Sequence, residues 1–466
     1  MTLSESRESI VGQDLLAVLR DPRTIRARCA AVTAAVSDDR SGWFRIDRAR
    51  LPEAAARVVA VMRRRHPDLK IPLHSRWRHF EAGGVDRKAE LDAALAGLAP
   101  AERARAQFDL TVVSVLLDAG AGAQWAYRER AAALPATALP AERVSRDDLM
   151  AALDQASSAA AAAAAPAPAA APAAEGARFT RSEGLGVASL RAFMAGVFSS
   201  TAGTPCRVDA AALRQVDAAV LRGVFQSSPS NPLVGLEGRA GLLARLGEAL
   251  LAEARRDDTP ARPALLFDRL TGGGTRTEVA ATDILREVLR ALGPIWTSGS
   301  SVMGVPAGDV WPHRWAGVDD GRGGSEPMSR GWVPFHKLGQ WLAYSLVEPL
   351  QWAGVAVTGL DALTGLPEYR NGGLLIDAGV LVPRSAYALE RRWKPGDEFI
   401  VEWRALTVTL LDELADLVRA QLGLSAEQLP LARVLEGGTW AAGREMAAEL
   451  RGGAPPLQID SDGTLF

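Results

Sequence analysis

Residues 366–383, LPEYRNGGLLIDAGVLVP, place three charged side chains in an otherwise apolar stretch. Asp377 interrupts the apolar residues, and Glu368 and Arg370 precede it across an Asn-Gly-Gly sequence. A carboxylate rarely enters apolar surroundings unless it is paired, hydrogen-bonded or used in chemistry. Two interpretations stay open: a carboxylate that stabilises positive charge on a sugar carbon, or an ion pair with Arg370 that only fixes a turn.

A second pair of carboxylates lies in residues 108–127, FDLTVVSVLLDAGAGAQWAY. Asp109 and Asp118 bracket an apolar run, and nine residues of helix turn through roughly 900°, so the two side chains face opposite sides. Asp118 stands next to a glycine-containing break and is the candidate site residue. Asp109 is expected to cap the start of the helix.

Basic residues surround a Gly-Gly turn in residues 76–87, RWRHFEAGGVDR. Arg76 and Arg78 could hold a phosphate or carboxylate there, and the alternative is a solvated basic face. His74 and His79 are five residues apart, which is wrong for two metal ligands on one helical face.

Six of the twelve tryptophans fall within residues 296–352, where Gly, Pro and His are also mixed without clear periodicity. Trp332 and Trp341 could wall a pocket for a ring-containing ligand, or they could only anchor a long loop to the core. His313 and His336 lie in the same region, but no HExxH-type motif is present. The spacing therefore does not favour a metal, and no cofactor is expected.

The composition is that of an ordinary soluble globular protein: 466 residues, 48% hydrophobic, 23% charged, with a net charge of −2. Such a chain is expected to form two or three packed units and not to be a general nucleic-acid binder. Two cysteines without a CxxC pair exclude a disulfide framework and a cysteine zinc site. The absence of a signal sequence and of a spanning apolar segment predicts a cytoplasmic protein without membrane contact.

Helical periodicity dominates and predicts a mainly α fold. An Ala/Pro-rich linker or surface insertion at 157–176 separates an N-terminal helical part, 1–156, from a C-terminal part, 177–466, that holds the candidate site. A small β element is expected near 365–383, and another near 396–402. Helix signals include a start at Pro52, a cap at Thr282 or Asp283, leucine spacing in 236–253, and a stripe over 404–422 that stops at Gly423.

Five segments together resemble the uracil catabolism protein 4 family: FDLTVVSVLLDAGAGAQWAY, SEGLGVASLRAF, WPHRWAG, VPFHKLGQWLAYSLVEPL and LTGLPEYRNGGLLIDAGVL. The resemblance covers nearly the whole chain apart from the alanine tract. It implies a role in a pathway that degrades uracil through its nucleotide, in which a step must release urea from a ribosyl-urea species. A weaker similarity to the queuosine nucleotide glycosylase family implies a helical bundle-like fold resembling helical DNA glycosylases. In that family an Asp precedes the Tyr-Arg pair, where this chain has Glu368.

The resemblance thus implies a hydrolase that cleaves the N-glycosidic bond of a ring-opened uracil nucleotide, such as ribosyl-urea 5′-phosphate. Such cleavage passes through an oxocarbenium-like state. The expected roles divide as follows: cation stabilisation or water activation by Asp377 or Glu368; protonation of urea by His336, Asp118 or Tyr369; walls from Trp332 and Trp341; phosphate binding by Arg370 with Arg76 or Arg78; and a hydrogen bond from His313.

Three alternatives stay open. A metal-dependent amidohydrolase would cut the ureido group instead of the glycosidic bond. A non-catalytic nucleotide-binding protein would release its ligand unchanged, and a true DNA glycosylase would need a basic surface that the charge does not suggest. The expected partner is a small nucleotide-derived molecule, and the sequence leaves the oligomeric state open.

Overall fold

The computed structural model describes residues 12, 14–122, 124–129, 176–297, 299–317 and 331–460. The α-helices that lie wholly within these residues are α1 Pro22–Ser37, α2 Leu51–Arg65, α3 Trp77–Phe80, α4 Arg87–Ala94, α5 Pro100–Leu116, α6 Arg181–Met194, α7 Ala210–Leu213, α8 Ala218–Val224, α9 Leu236–Asp257, α10 Leu265–Thr271, α11 Ala281–Leu292, α12 Lys337–Trp352, α13 Asn371–Asp377, α14 Tyr387–Glu390, α15 Glu398–Leu422, α16 Leu431–Val434 and α17 Trp440–Arg451.

The strands of these residues are short, and each pairs with one other. They are β1 Phe44–Ile46, β2 Ala126–Arg128, β3 Arg178–Thr180, β4 Glu278–Ala280, β5 Ser300–Val302, β6 Val305–Gly308, β7 Val310–Pro312, β8 Trp332–Pro334, β9 Ala356–Thr358, β10 Leu381–Pro383, β11 Arg392–Trp393 and β12 Gln458–Ile459. Antiparallel pairs are β1–β10, β2–β3, β5–β6 and β7–β8, and parallel pairs are β4–β9 and β11–β12. The mainly α class predicted from the periodicity is confirmed.

Two of the predicted helix boundaries are confirmed. Pro52 stands in the first turn of α2, and α15 ends where Gly423 takes a left-handed φ of 68°. The predicted cap at Thr282 or Asp283 is wrong, because α11 already begins at Ala281 and no side chain caps it.

The apolar run after the Asn-Gly-Gly sequence is helical, not extended, which corrects the sequence prediction. Glu368 explains the difference, because its carboxylate accepts hydrogen bonds from the backbone N–H groups of Arg370 and Asn371 and so starts α13. The β element of this region is confined to β10. The predicted strand at 396–402 is also wrong, since α15 begins at Glu398.

One hydrophobic core runs through both the N-terminal and the C-terminal parts of the chain. Helices α1 and α2 both pack on α15, and strand β1 pairs with β10. Phe44 stacks on Phe399 with ring centroids 4.6 Å apart. The two parts on either side of the predicted linker therefore depend on each other for burial.

Strands β2 and β3 flank the predicted linker, and Glu129 donates its N–H to the carbonyl of Ala177 at 2.9 Å. The chain thus leaves and returns at one place, as an insertion requires. The linker at 157–176 itself lies outside the described residues, except for Gly176. Within the described ranges, no helix is both long and apolar enough to cross a membrane.

Candidate functional site

A cavity of about 460 Å³ opens where six segments distant in sequence converge. Its wall is formed by the turn before α3 and α3 itself, the loop after α5, the start of α6, the first turns of α12, the residues before α13, and the start of α17 with the C-terminal stretch 455–459. The polar and aromatic lining residues are His74, His79, Asp118, Arg181, Ser182, Lys337, Trp341, Glu368, Tyr369 and Trp440.

Glu368 enters the cavity as a fixed carboxylate. Its Oε2 accepts the N–H of Arg370 at 2.8 Å, and its Oε1 accepts the N–H of Asn371 at 2.7 Å. Burial raises the pKa of Glu368, although these two hydrogen bonds and the charge of Lys337 oppose the rise. The side chain is therefore held in one orientation, and burial makes its ionised form less favourable than that of an exposed glutamate.

Asp118 lies on another wall, directly after the end of α5. Its Oδ2 is 2.8 Å from Nη1 of the fully buried Arg76. Burial alone would raise the pKa of Asp118, but the charge of Arg76 leads the opposing interactions and the pKa is lowered. Asp118 therefore stays ionised while Glu368, in the same cavity, is driven toward its protonated form.

Lys337 is a cationic residue that lines the same cavity as these acids, and it was not among the residues predicted from the sequence. It is the first residue of α12, where both burial and the adjacent helix N-terminus disfavour its charge. Burial and Arg404 lower the pKa of Lys337, whereas Glu368, Asp309 and Asp118 counteract this change. The only signal for Lys337 in the sequence is its position in VPFHKLGQW, where the neighbouring His336 was the predicted site residue.

Asp309 fixes the start of α12 and was also missed. It accepts hydrogen bonds from the Lys337 N–H at 2.9 Å and from Nη1 and Nη2 of Arg404 at 2.6 and 2.7 Å. Both members of this ion pair are buried. Although burial opposes ionisation, the charge of Arg404 lowers the pKa of Asp309 to about 2. Asp309 thus anchors Lys337 at the cavity wall.

An aromatic wall is formed by Trp341, with the imidazole rings of His74 and His79 at centroid distances of 4.6 and 5.8 Å. The Trp341 side chain is 6% exposed, and its Nε1–H has no hydrogen-bond partner. A buried indole N–H without a partner is costly, so a ligand in the cavity is the natural acceptor.

The start of α6 forms another wall and brings the cationic side chain of Arg181 to the rim. Arg181 has a left-handed φ of 53°, and no side chain caps the helix at Thr180. The helix can approach α3 closely because Gly186 has no Cβ: a Cβ there would lie 2.8 Å from Cβ of His79. In the sequence this glycine segment contributed only to the family resemblance.

Several predicted site residues do not line the cavity. Asp377 lies at the end of α13, where its Oδ2 accepts from Nη2 of Arg451 at 2.6 Å. The Nε2 atom of His336 is 3.0 Å from the Leu19 carbonyl, and the Nε2 atom of His313 is 3.4 Å from Oε2 of Glu402. Burial lowers the pKa of His336 to about 4.

The predicted arginines hold structure around the cavity. Arg76 lies behind Asp118 as its partner, and Arg78 pairs with Glu348 at 2.7 Å. Arg370 lies over the ring of Tyr369, with its Cζ 4.9 Å from the ring centroid. None of the three arginines lines the cavity.

Two further sequence expectations are decided by the structure. Trp332 lies on β8 and packs against a small separate cluster that includes Leu16 and Leu19. Asp109 does not cap α5, which begins nine residues earlier at Pro100. Its carboxylate is instead buried against Arg262, with Nη2 at 2.7 Å.

No three His, Cys, Asp or Glu side chains come together as a metal-ion cluster within the part of the chain that the structure describes. Trp341, Glu368, Tyr369 and Asp118 are the predicted residues that share the cavity. No sequence signal indicated Lys337, Arg181 or Trp440, and the spacing of His74 and His79 suggested no role beyond the rejected metal site.

Three comparisons with known proteins can be set beside this geometry. A family model described as "Protein of unknown function (DUF1688)" matches residues 18–148 and 161–466. Protein urg3 of Schizosaccharomyces pombe is 35% identical over 465 residues, which cover 97% of this chain and 99% of that protein. Uracil catabolism protein 4 of Lachancea kluyveri is 33% identical over 461 residues, which cover 92% of this chain and 93% of that protein.

Proposed function

The chain belongs to the DUF1688 family, and on that premise we propose that it is an enzyme of uracil catabolism. It hydrolyses the N-glycosidic bond of a ring-opened uracil nucleotide such as ribosyl-urea 5′-phosphate, releasing urea and a ribose phosphate. The names of the two relatives support the pathway. The reaction is supported by one observation: Asp118 and Glu368 line one cavity, and their surroundings shift their pKa values in opposite directions.

Glycoside hydrolysis commonly uses two carboxyl groups, one with a raised pKa that acts as the acid and one that stays ionised. In this proposal Glu368 donates its proton to the departing urea as the bond between C1′ and nitrogen breaks. Asp118 stays ionised, faces the oxocarbenium-like carbon and takes a proton from the attacking water, whose oxygen forms the new bond to C1′. Charge is balanced, because one proton leaves Glu368 and one reaches Asp118.

In this proposal the cationic side chains of Lys337 and Arg181 bind the phosphate of the substrate. They take the role predicted for Arg370, Arg76 and Arg78, because Lys337 and Arg181 line the cavity and the three arginines do not. Trp341 and Trp440 exclude water from the sugar and its leaving group.

The test incubates the purified full chain with ribosyl-urea, its 5′-phosphate and uridine 5′-monophosphate, and detects urea and sugar by mass. Urea is expected from a ribosyl-urea and not from the intact nucleotide. Glu368→Gln and Asp118→Asn should each lower kcat by roughly 10²–10⁴, the usual effect of one positioned acid or base.

Asp377→Asn is the matched comparison, because it removes a carboxylate of the same segment that pairs with Arg451 outside the cavity. It should keep most of the turnover. Loss of activity in Asp377→Asn with normal activity in Glu368→Gln would return the role to Asp377. Ammonia released from an intact ribosyl group would instead identify an amidohydrolase, and a ligand recovered unchanged would identify a binding protein.

A further inference from the structure

His74 and His79 line the same cavity. The Nδ1 atom of each ring has a different kind of hydrogen-bond partner, which places the ring hydrogen on Nδ1 in one histidine and on Nε2 in the other. The Nδ1 atom of His74 is 2.7 Å from Oε2 of Glu436. The Nδ1 atom of His79 is 3.1 Å from Nη1 of Arg76. Neither Glu436 nor Arg76 lines the cavity, so each ring turns its Nδ1 atom away from the cavity.

The partner of His74 can only accept. Burial works against the charge of Glu436, but the hydrogen bond with His74 outweighs it and the pKa of Glu436 is lowered. An ionised carboxylate has no proton to donate, so Nδ1 of His74 carries the hydrogen. In the tautomer with its hydrogen on Nδ1, His74 has a hydrogen-bond acceptor at Nε2.

The partner of His79 can only donate, because a guanidinium group has no acceptor atom. Nδ1 of His79 is therefore the acceptor in this contact. Nη1 of Arg76 shares its two hydrogens among His79, Oδ2 of Asp118 at 2.8 Å and the carbonyl of Ser182 at 3.1 Å. Burial, together with Arg76, lowers the pKa of His79 to about 4. The ring is neutral near pH 7, and its remaining proton lies on Nε2, which is a donor.

The backbone geometry around Glu436 supports a functional role for the His74–Glu436 pair. Residues Leu435–Thr439 form a π-helical segment between α16 and α17, a rare geometry that is frequent at functional sites. Trp341 packs against both imidazoles and adds its unpartnered Nε1–H to the same wall.

We propose that His74 and His79 form a recognition subsite for a planar group in which an N–H lies beside a carbonyl, with His79 donating to the oxygen and His74 accepting from the nitrogen. An amide, imide or ureido group has this pattern. Its assignment to the ureido leaving group rests on the proposed function, whereas the hydrogen-bond pattern of the two rings does not.

The test compares uracil with 1,3-dimethyluracil, which keeps both carbonyls and lacks every ring N–H. Binding to the purified full chain is measured by calorimetry and by tryptophan fluorescence. Uracil should bind roughly tenfold or more tightly, the usual scale for leaving a buried acceptor unpaired.

Two variants separate the roles of the rings. His74→Phe removes the acceptor and should abolish the discrimination, chiefly by weakening uracil. His79→Phe removes the carbonyl donor and should weaken both compounds, while the discrimination remains. His66→Phe, which changes a histidine outside the cavity, should bind both compounds as the wild type does.

The wild-type protein gives an independent readout if a variant fails to fold. The chain has only five histidines, and nitrogen-15 spectra of their rings should show one cavity imidazole protonated at Nδ1 and the other at Nε2. Equal binding of the two compounds, binding of neither, the reverse tautomers, or a His74 ring protonated at both nitrogens would overturn the subsite. Intact discrimination in a protein that releases no urea would overturn the proposed reaction and leave the subsite standing.

Discussion

At the scale of single residues, the environment of each acid decides its chemistry more than its identity does. Asp118 and Glu368 are both buried carboxylates at one cavity. The charge of Arg76 and the other partners of Asp118 outweigh the effect of burial, whereas the two backbone N–H donors to Glu368 do not offset burial there. The difference in partners therefore separates their pKa values and their proposed roles.

The charge of Lys337 allows the proposed roles of Glu368 and Asp118 to be tested through the pH dependence of kcat/KM. Its positive charge acts to lower the pKa of both Glu368 and Asp118. Lys337→Met removes that charge, so both pKa values should rise. In the proposed mechanism Asp118 is ionised and Glu368 is protonated. Activity should therefore fall below the pKa of Asp118 and above the pKa of Glu368. The whole bell of kcat/KM against pH should therefore move to higher pH.

The comparison for this profile is Lys394→Met, which removes an exposed lysine that lies outside the cavity. That variant should keep the wild-type profile. A bell that stays in place, or moves to lower pH, in Lys337→Met would show that Lys337 does not act on the two acids.

At the scale of elements, Asp309 connects α12 to α15 by accepting from Lys337 and Arg404. Asp309→Asn breaks a buried ion pair and should lower the free energy of unfolding at pH 7 by about 3–5 kcal/mol. The pKa of Asp309 in the folded protein, about 2, is below the unfolded value of about 3.9. Its stabilisation is therefore present above about pH 4 and is lost as pH falls through about 2.

Urea unfolding of wild type and Asp309→Asn at pH 7 and pH 3 measures this effect. The difference between the two proteins should be smaller at pH 3. Asp38→Asn, whose exposed carboxylate pairs with Arg40, should change the unfolding free energy by less than about 1 kcal/mol. A pH-independent difference for Asp309→Asn would contradict the linkage.

Gly186 tests how closely α6 must approach α3. A Cβ at this position would lie 2.8 Å from Cβ of His79, so Gly186→Ala should force the helices apart. Overpacking should cost about 1–3 kcal/mol of stability and also lower kcat/KM, since Arg181 and Ser182 move with α6.

Gly241→Ala is the matched helical control. A Cβ at Gly241 would meet only the tip of the Arg245 side chain, at 3.2 Å. That substitution should stabilise the protein by roughly 0.5–1 kcal/mol, because alanine favours the helix. Thermal unfolding and steady-state kinetics of both variants measure these effects. Equal stabilisation in the two would show that the contact at Gly186 relaxes freely.

At the scale of the whole molecule, the shared core predicts that neither half is stable alone. Residues 1–156 would lose β10 and α15, against which β1, α1 and α2 pack. Expressed alone, this fragment should give no cooperative unfolding transition by circular dichroism, because much of its apolar surface would face water.

Co-expression of 1–156 with 177–466 should restore the transition and the activity, since β2 and β3 still pair across the break. The intact chain is the control. A fragment 1–156 that unfolds cooperatively by itself would show that it is a separate domain.

Sequence periodicity was enough for the fold class and for the major helices, because an amphipathic stripe must be buried whatever its partner. It failed at Leu374–Ile376, where a short apolar run suits a strand and a buried helix equally and Glu368 decided the outcome by starting α13. The motif resemblance to the uracil catabolism protein 4 family is confirmed, since long motifs depend on residue order alone.

The sequence by itself thus determined the family, the mainly α class and a short set of acids. Only the tertiary structure decided that Asp118 and Glu368 meet while Asp377 pairs with Arg451. It also placed Lys337, His74 and His79 in the wall of the same cavity. The physical reason is that a pKa or a tautomer depends on burial and on partners within a few ångströms. Burial comes from the whole fold, and a partner can be distant in sequence, as Glu436 is from His74.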